Sequence, residues 1–314
     1  MAIKAAAGYP QYSGSLIQPV HSDIILEQFR CRSLFQEITT TDYLGELRGR
    51  GDRITFYKEP KVSIRKHVKN GVIKHDNFEA EMCELTIDCA LEFSVKIARL
   101  DEKMINTPNW ARWQSMIMAK AAEKMQRQID RDVMSAMYCG VDPCNQGKTA
   151  GVGGIQFDFG APGDPLLLNK DNCLDLFVNI SCMMDEHCIP MQDRWIVIPP
   201  AMKACMMLGD LRRADMMGLT QSPLLNGALP TMFNGLKVYV SPYVPRVWDV
   251  GANCAAFHIL AGWKGATAFA SCLEDTRIVD GDQDRWDKYL QGLTAYGFGI
   301  IRPEALFDVY VKFQ

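Results

Sequence analysis

Five histidines are the first residues to weigh for chemistry: His21, His67, His75, His187 and His258. None lies at metal-ligand spacing from another. Asp185-Glu186-His187-Cys188 sets carboxylate, imidazole and thiol side by side, the groups a nucleophilic site would use. Consecutive residues on a helix point away from one another, so this run reads as a polar helix end. Asp280-Gly-Asp-Gln-Asp284 has the flavour of a calcium loop, but the twelfth position is Gln291, where a bidentate glutamate belongs. Gly147-Lys148-Thr149 echoes the end of a phosphate-binding loop without the upstream glycine, the preceding strand or the following apolar helix. No nucleophile elbow and no dinucleotide fingerprint occurs. Arg50-Gly51-Asp52 matches an integrin-binding tripeptide, a match frequent by chance. We expect no catalytic residue, no metal and no cofactor.

Composition narrows the alternatives. The 314 residues suffice for a sizeable core or two domains. A net charge of −3 gives no basic excess for gripping nucleic acid irrespective of sequence. No apolar run approaches the roughly 20 residues needed to span a bilayer. The N-terminus lacks the apolar segment of a secretion signal, so we expect an intracellular protein. Eleven cysteines, an odd number without a Cys-x-x-Cys, read as small buried hydrophobes rather than a disulfide framework.

The elements that would position any site are more informative. From Cys83 to Ile97 every odd residue is apolar, cysteine included, and the even ones are charged, hydroxylated or small. Strict alternation predicts one strand with a buried and a wet face. At about 3.3 Å per residue it would reach roughly 50 Å, enough to cross the body or leave it as an arm. Upstream, Ile54, Phe56, Val62 and Ile64 alternate likewise, around Lys58-Glu59-Pro60-Lys61. Antiparallel pairing would set Ile54 against Val95, Phe56 against Phe93, Val62 against Ile87 and Ile64 against Leu85. It would also place Lys61 opposite Asp88 and Arg65 opposite Glu84, both favourable cross-strand pairs. Pro60 predicts a break, and Asn70-Gly71 a tight turn. Lys58, Lys61, Arg65, Lys66, Lys69 and Lys74 make the tip basic, followed by Glu79 and Glu81. Such a finger can protect an edge or dock on an acidic surface of a neighbouring copy.

Residues 108–138 predict the strongest helix, with Thr107-Pro108 as its start. Trp110, Trp113, Ile117, Met125, Ile129 and Val133 form an apolar stripe that winds round the rod and meets several neighbours. A short helix is predicted within 22–37. Residues 139–170 read as a Gly-, Pro- and Asp-rich loop. The second half predicts helices at about 171–188 and from Pro200 to Leu208. Strands are predicted at Trp195–Ile198, Leu236–Val240, Phe257–Leu260, Thr276–Val279, Leu293–Ile301 and Phe307–Phe313. The fold class is α+β, with a mixed or mainly antiparallel sheet.

This order of parts resembles the major capsid protein of tailed double-stranded DNA bacteriophages, the Hong Kong 97-type capsid fold. The likeness rests on Gly51-Asp-Arg-Ile-Thr-Phe56, Leu85-Thr-Ile-Asp-Cys-Ala-Leu-Glu-Phe93 and the spine from Pro108. Gly235-Leu-Lys-Val-Tyr-Val-Ser-Pro242 and Ala295-Tyr-Gly-Phe-Gly-Ile-Ile-Arg-Pro-Glu-Ala305 look like the closing strands. The resemblance implies an N-terminal arm and short helix over 1–48 and an extended loop over 49–97 lying across a neighbouring subunit. It implies a peripheral domain over 98–165 with its spine helix, an axial domain over 166–275, and closing strands over 276–314 returning to the peripheral domain. The loop at 218–232 would point to the capsomer axis. The implied function is self-assembly, as hexamers and pentamers, into an icosahedral shell around DNA held without sequence-specific contacts. Implied partners are a portal and scaffolding or decoration proteins, with no membrane. Assembly would occur in the host cytoplasm, and the protein would end in the virion capsid. No scaffolding segment is visible, which implies a separate scaffolding protein or none. A nanocompartment shell would share the fold and would carry a cargo enzyme instead of DNA. An uncharacterised enzyme would need converging titratable groups, and a jelly-roll capsid about eight strands.

Overall fold

Long antiparallel strands and one long helix divide the chain. The computed structural model describes residues 33–41, 53–57, 64–67, 75, 82–98, 107–152, 154–209, 229–280 and 287–313. Helix α1 spans Phe35–Ile38; β1 (Arg53–Tyr57), β2 (Met82–Thr86) and β3 (Cys89–Ala98) follow, then α2 (Thr107–Cys139). The second half holds β4 (Leu166–Leu168), α3 (Cys173–Glu186), β5 (Arg194–Ile198), α4 (Pro200–Leu208), β6 (Met232–Phe233) and β7 (Leu236–Val240). It continues through β8 (Arg246–Asp249), β9 (Cys254–Trp263), β10 (Thr267–Asp280), β11 (Asp287–Ile300) and β12 (Leu306–Phe313).

These strands make three sheets: β1-β2; β10-β11-β3; and a seven-stranded sheet ordered β4-β12-β9-β5-β7-β6, with β8 also on β9. The large sheet is mixed, since β5 runs parallel to β7 and β12 to β4 while the other pairs are antiparallel. All five residues of β5 are buried, as a central strand covered on both faces requires. Asn234 and Gly235, with φ of 48° and 79°, form the tight turn their sequence predicts between β6 and β7. Helix α2 starts at Thr107, one residue before the expected 108, and its stripe deepens toward its C-terminal end: Ile129, Val133 and Met137 are buried.

Four expectations are corrected. The run 83–97 is two strands, broken at Ile87-Asp88, and they belong to different sheets. Strand β3 does not pair with the upstream arm. It hydrogen-bonds along β11, from Ala98 opposite Asp287 to Cys89 opposite Tyr296, so residues 89–98 are part of the body. Strands β10 and β11 form one long hairpin that the sequence reading had in fragments, because a bulge between Ser271 and Leu273 interrupts the alternation of β10. Strand β12 lies in the seven-stranded sheet. Finally, the loop over 139–170 contains β4, paired with β12.

The alternation itself holds. Cys89, Leu91, Phe93, Val95 and Ile97 are half-buried, while Ala90, Glu92, Ser94 and Lys96 are exposed. Of the short helix expected in 22–37, only α1 lies within the described residues. Its amides at Leu34 and Phe35, and the Ser33 hydroxyl, donate to Asp130 of α2 at 2.8–3.2 Å.

Candidate assembly surface

The β1–β2 hairpin is rooted on the three-stranded sheet, on the face away from α2. Leu85 and Ile87, each 1% exposed, sit on a floor of Ala268, Ala270 and Ala295, joined by Phe56 and Ile301. The floor works because it is nearly flat. A Cβ added at Gly299 would lie 3.1 Å from Leu85 Cδ1, and one at Gly297 would meet the backbone of Thr86 and Ile87 at 2.3–3.0 Å. Burying two branched side chains there contributes about 1.5–3 kcal/mol each.

The hairpin register differs from the one expected. Ile54 lies opposite Leu85 and Phe56 opposite Cys83, a shift of ten residues along the partner from Val95 and Phe93. An even shift leaves every side chain on its original face, so the alternating pattern allowed both registers. Glu84 consequently pairs with Arg53 at 3.1 Å and not with Arg65. Both partners are more than half exposed, and such a pair contributes about 0–1 kcal/mol.

Two grooves flank α2. One, of about 520 Å³, opens between α2 and the three-stranded sheet and is lined by Phe93, Met118, Met125, Ile129, Phe269 and Leu293 among others. The other, of about 410 Å³, lies over Leu91, Val95, Ile117 and Ala121, with the stems of Lys120 and Lys124 at its edge. Tyr296 crosses from β11 to α2, its hydroxyl donating to Asp132 at 2.6 Å. Burial and that carboxylate push its phenol pKa up. At the α1 end, burial raises the Asp130 carboxyl, against the amides of Phe35 and Leu34 and the Ser33 hydroxyl that favour its ionised form.

Of the basic finger, Arg65 and Lys66 are exposed, beside Ile64 at 97% exposure. Lys58, Lys61, Lys69, Lys74, Glu79 and Glu81 lie outside the described residues, as does most of the 218–232 loop. Of the spine stripe, Ile117 and Met125 are half-buried and line the grooves, and Ile129 and Val133 are buried. Trp110 and Trp113 fall on α2, but their side chains lie outside the description.

The residues weighed for chemistry go separate ways. Asp185 pairs with Arg194 at 2.6 Å, His187 bonds Asn145 at 2.8 Å, and Cys188 is exposed beyond the end of α3. Lys148 pairs with Asp164. No group of three or more His, Cys, Asp or Glu among the described residues could hold a metal ion. No described helix is long and apolar enough to cross a membrane. Sequence reading missed Asp130, whose role depends on a chain segment 95 residues away. It also missed the floor at Gly297 and Gly299, for which the Gly-Phe-Gly spacing on one strand face was the available signal.

The fold is that of phage capsid subunits, the tailed-phage capsid fold that the order of parts resembles. A structure from Mycobacterium phage Che8 superposes with a TM-score of 0.68 at 17% identity, covering 95% of this chain and 97% of that one. The capsid structure of Cyanophage P-SCSP1u gives 0.67 at 15%, covering 95% and 94%. The mature capsid of bacteriophage PhiM1 gives 0.64 at 14%, covering 96% and 95%. No family model and no curated protein sequence matches the chain.

Proposed function

We propose that this chain is a major capsid protein, a structural subunit that assembles with copies of itself into the closed shell of a phage. The observation that carries the reading is end-to-end likeness, at least 94% of both chains in each comparison above, to structures that include two phage capsids. The hairpin supports it. Beyond its buried root it presents Tyr57, Ile64 and Met82 at 64–97% exposure, apolar surface that a second copy would cover.

In this reading α2 and the three-stranded sheet form the peripheral part, and the seven-stranded sheet with α3 and α4 the axial part. The basic finger (Lys58, Lys61, Arg65, Lys66, Lys69, Lys74) and Glu79 and Glu81 set register between neighbours by charge complementarity. Repeated head-to-tail contacts close into rings, giving hexamers and pentamers. The shell encloses double-stranded DNA without reading it, as the chain's net charge of −3 suits. A portal and scaffolding or decoration proteins complete it in the host cytoplasm. Electron microscopy of the expressed protein tests the reading. Closed shells or capsomers are expected. A stable monomer at high concentration overturns it, and shells that purify with a cargo enzyme in place of DNA reassign it to a nanocompartment.

A further inference from the structure

Where α2 meets the seven-stranded sheet, one titratable pair is buried that the shell reading does not use. His258 stands on β9 and Asp308 on β12, diagonal neighbours across the ladder, since His258 lies opposite Tyr310 and Asp308 opposite Leu260. Their Nδ1 and Oδ2 atoms are 2.8 Å apart, with side-chain exposures of 11% and 6%. The second carboxylate oxygen of Asp308 is buried without a hydrogen-bond partner. The imidazole is held between two phenol rings. Tyr138, at the C-terminal end of α2, stacks on it at 4.4 Å and 24°, and Tyr310 approaches at 4.8 Å. The end of α2 thus rests on this pair.

We propose that His258 and Asp308 form a proton-operated latch between α2 and the seven-stranded sheet, tightened when the pair takes up a proton and loosened when it gives one up. With a neutral imidazole and an ionised carboxylate the buried pair carries a net negative charge, and one added proton makes it neutral. Burial favours the neutral pair, and no donor reaches the free oxygen to offset the charge. Among the described residues, the groups around the pair supply no second cation. They are Tyr138 of α2, with Cys139 beside it, and Tyr310 of β12, with Cys254 of β9 near it and its hydroxyl donating at 3.0 Å to Asp249 at the end of β8. The amides of Gly163, Ala252 and Gly251 and the Tyr310 hydroxyl hold the Asp249 carboxyl below its ordinary range. Burial raises the Asp308 carboxyl above its ordinary 3.8 despite His258. Its contribution to stability is therefore complete below 3.8 and falls as pH rises through the raised value.

Hydrogen–deuterium exchange of the purified full-length chain, corrected for intrinsic rates, tests this between about pH 4 and about pH 8. Peptides over 134–141, 254–260 and 306–311 should lose protection by about tenfold on going from acid to neutral, while the β10–β11 hairpin does not. Asp308→Asn should flatten that dependence and protect the seam at neutral pH. A flat wild-type profile at the seam overturns the latch, and so does an unchanged slope in Asp308→Asn. Should that variant fail to fold, the wild-type profile decides alone. Neither outcome depends on whether the chain forms shells.

Discussion

Gly297 carries the backbone of Thr86 directly over it: a Cβ added at Gly297 would lie 2.3 Å from the Thr86 carbonyl oxygen. The close approach lets Leu85 and Ile87 bury themselves on a floor of alanines. It ties a hairpin that begins at Arg53 to a sheet strand more than 200 residues later in the chain. The hairpin root is therefore set by small residues on its partner more than by its own sequence.

Gly297→Ala should lift β2 from this floor, since the obstacle is backbone and cannot rotate aside. The expected loss is roughly 1–3 kcal/mol, read as a lower denaturant midpoint. Faster amide exchange confined to residues 82–87 would place the damage at the root.

Asp130→Ala removes the acceptor for the Leu34 and Phe35 amides, leaving buried donors unpaired at the start of α1. A loss of about 1–3 kcal/mol is expected. A second consequence is lost protection of residues 35–39, while the middle of α2 keeps its own. Equilibrium unfolding together with peptide-level exchange checks both.

Along α2, depth should set the cost of truncation. Ile129→Ala, at a residue 4% exposed, should cost about 2–5 kcal/mol. Ile117→Ala, on the half-buried groove wall, should cost roughly 1 kcal/mol or less in the isolated subunit. If a neighbouring copy fills that groove in the shell, the same variant should depress particle yield well beyond what its stability explains. Thermal unfolding and particle counts by electron microscopy separate the two effects.

Lys66→Glu, on the exposed finger, should leave subunit stability within about 0.5 kcal/mol of wild type while reducing assembly at low salt. Light scattering during assembly checks it. Wild-type assembly kinetics in the variant would remove the finger from the interface.

Much of this fold was legible in periodicity. Strict alternation over 83–97 correctly divided β3 into a half-buried and an exposed face. Thr107-Pro108 and the apolar stripe placed α2 within a residue at each end, and Asn234-Gly235 marked its turn. The pairing of β3 was not legible. Its pattern fits any partner whose apolar face has the same parity, and β11 offers a fourteen-residue strand, whereas the alternation of the upstream run is interrupted in sequence at Lys58-Glu-Pro-Lys61. The hairpin register escaped for the same reason.

By itself, then, the sequence determined which residues face inward, where the helices run and in what order the parts occur, because these follow from the local periods of strand and helix. Only the tertiary structure decided that 83–97 divides between two sheets, that Asp130 anchors α1, and that His258 and Asp308 meet beneath Tyr138. Those choices depend on which distant edge, amide or ring fills a given space, and no period along the chain records that.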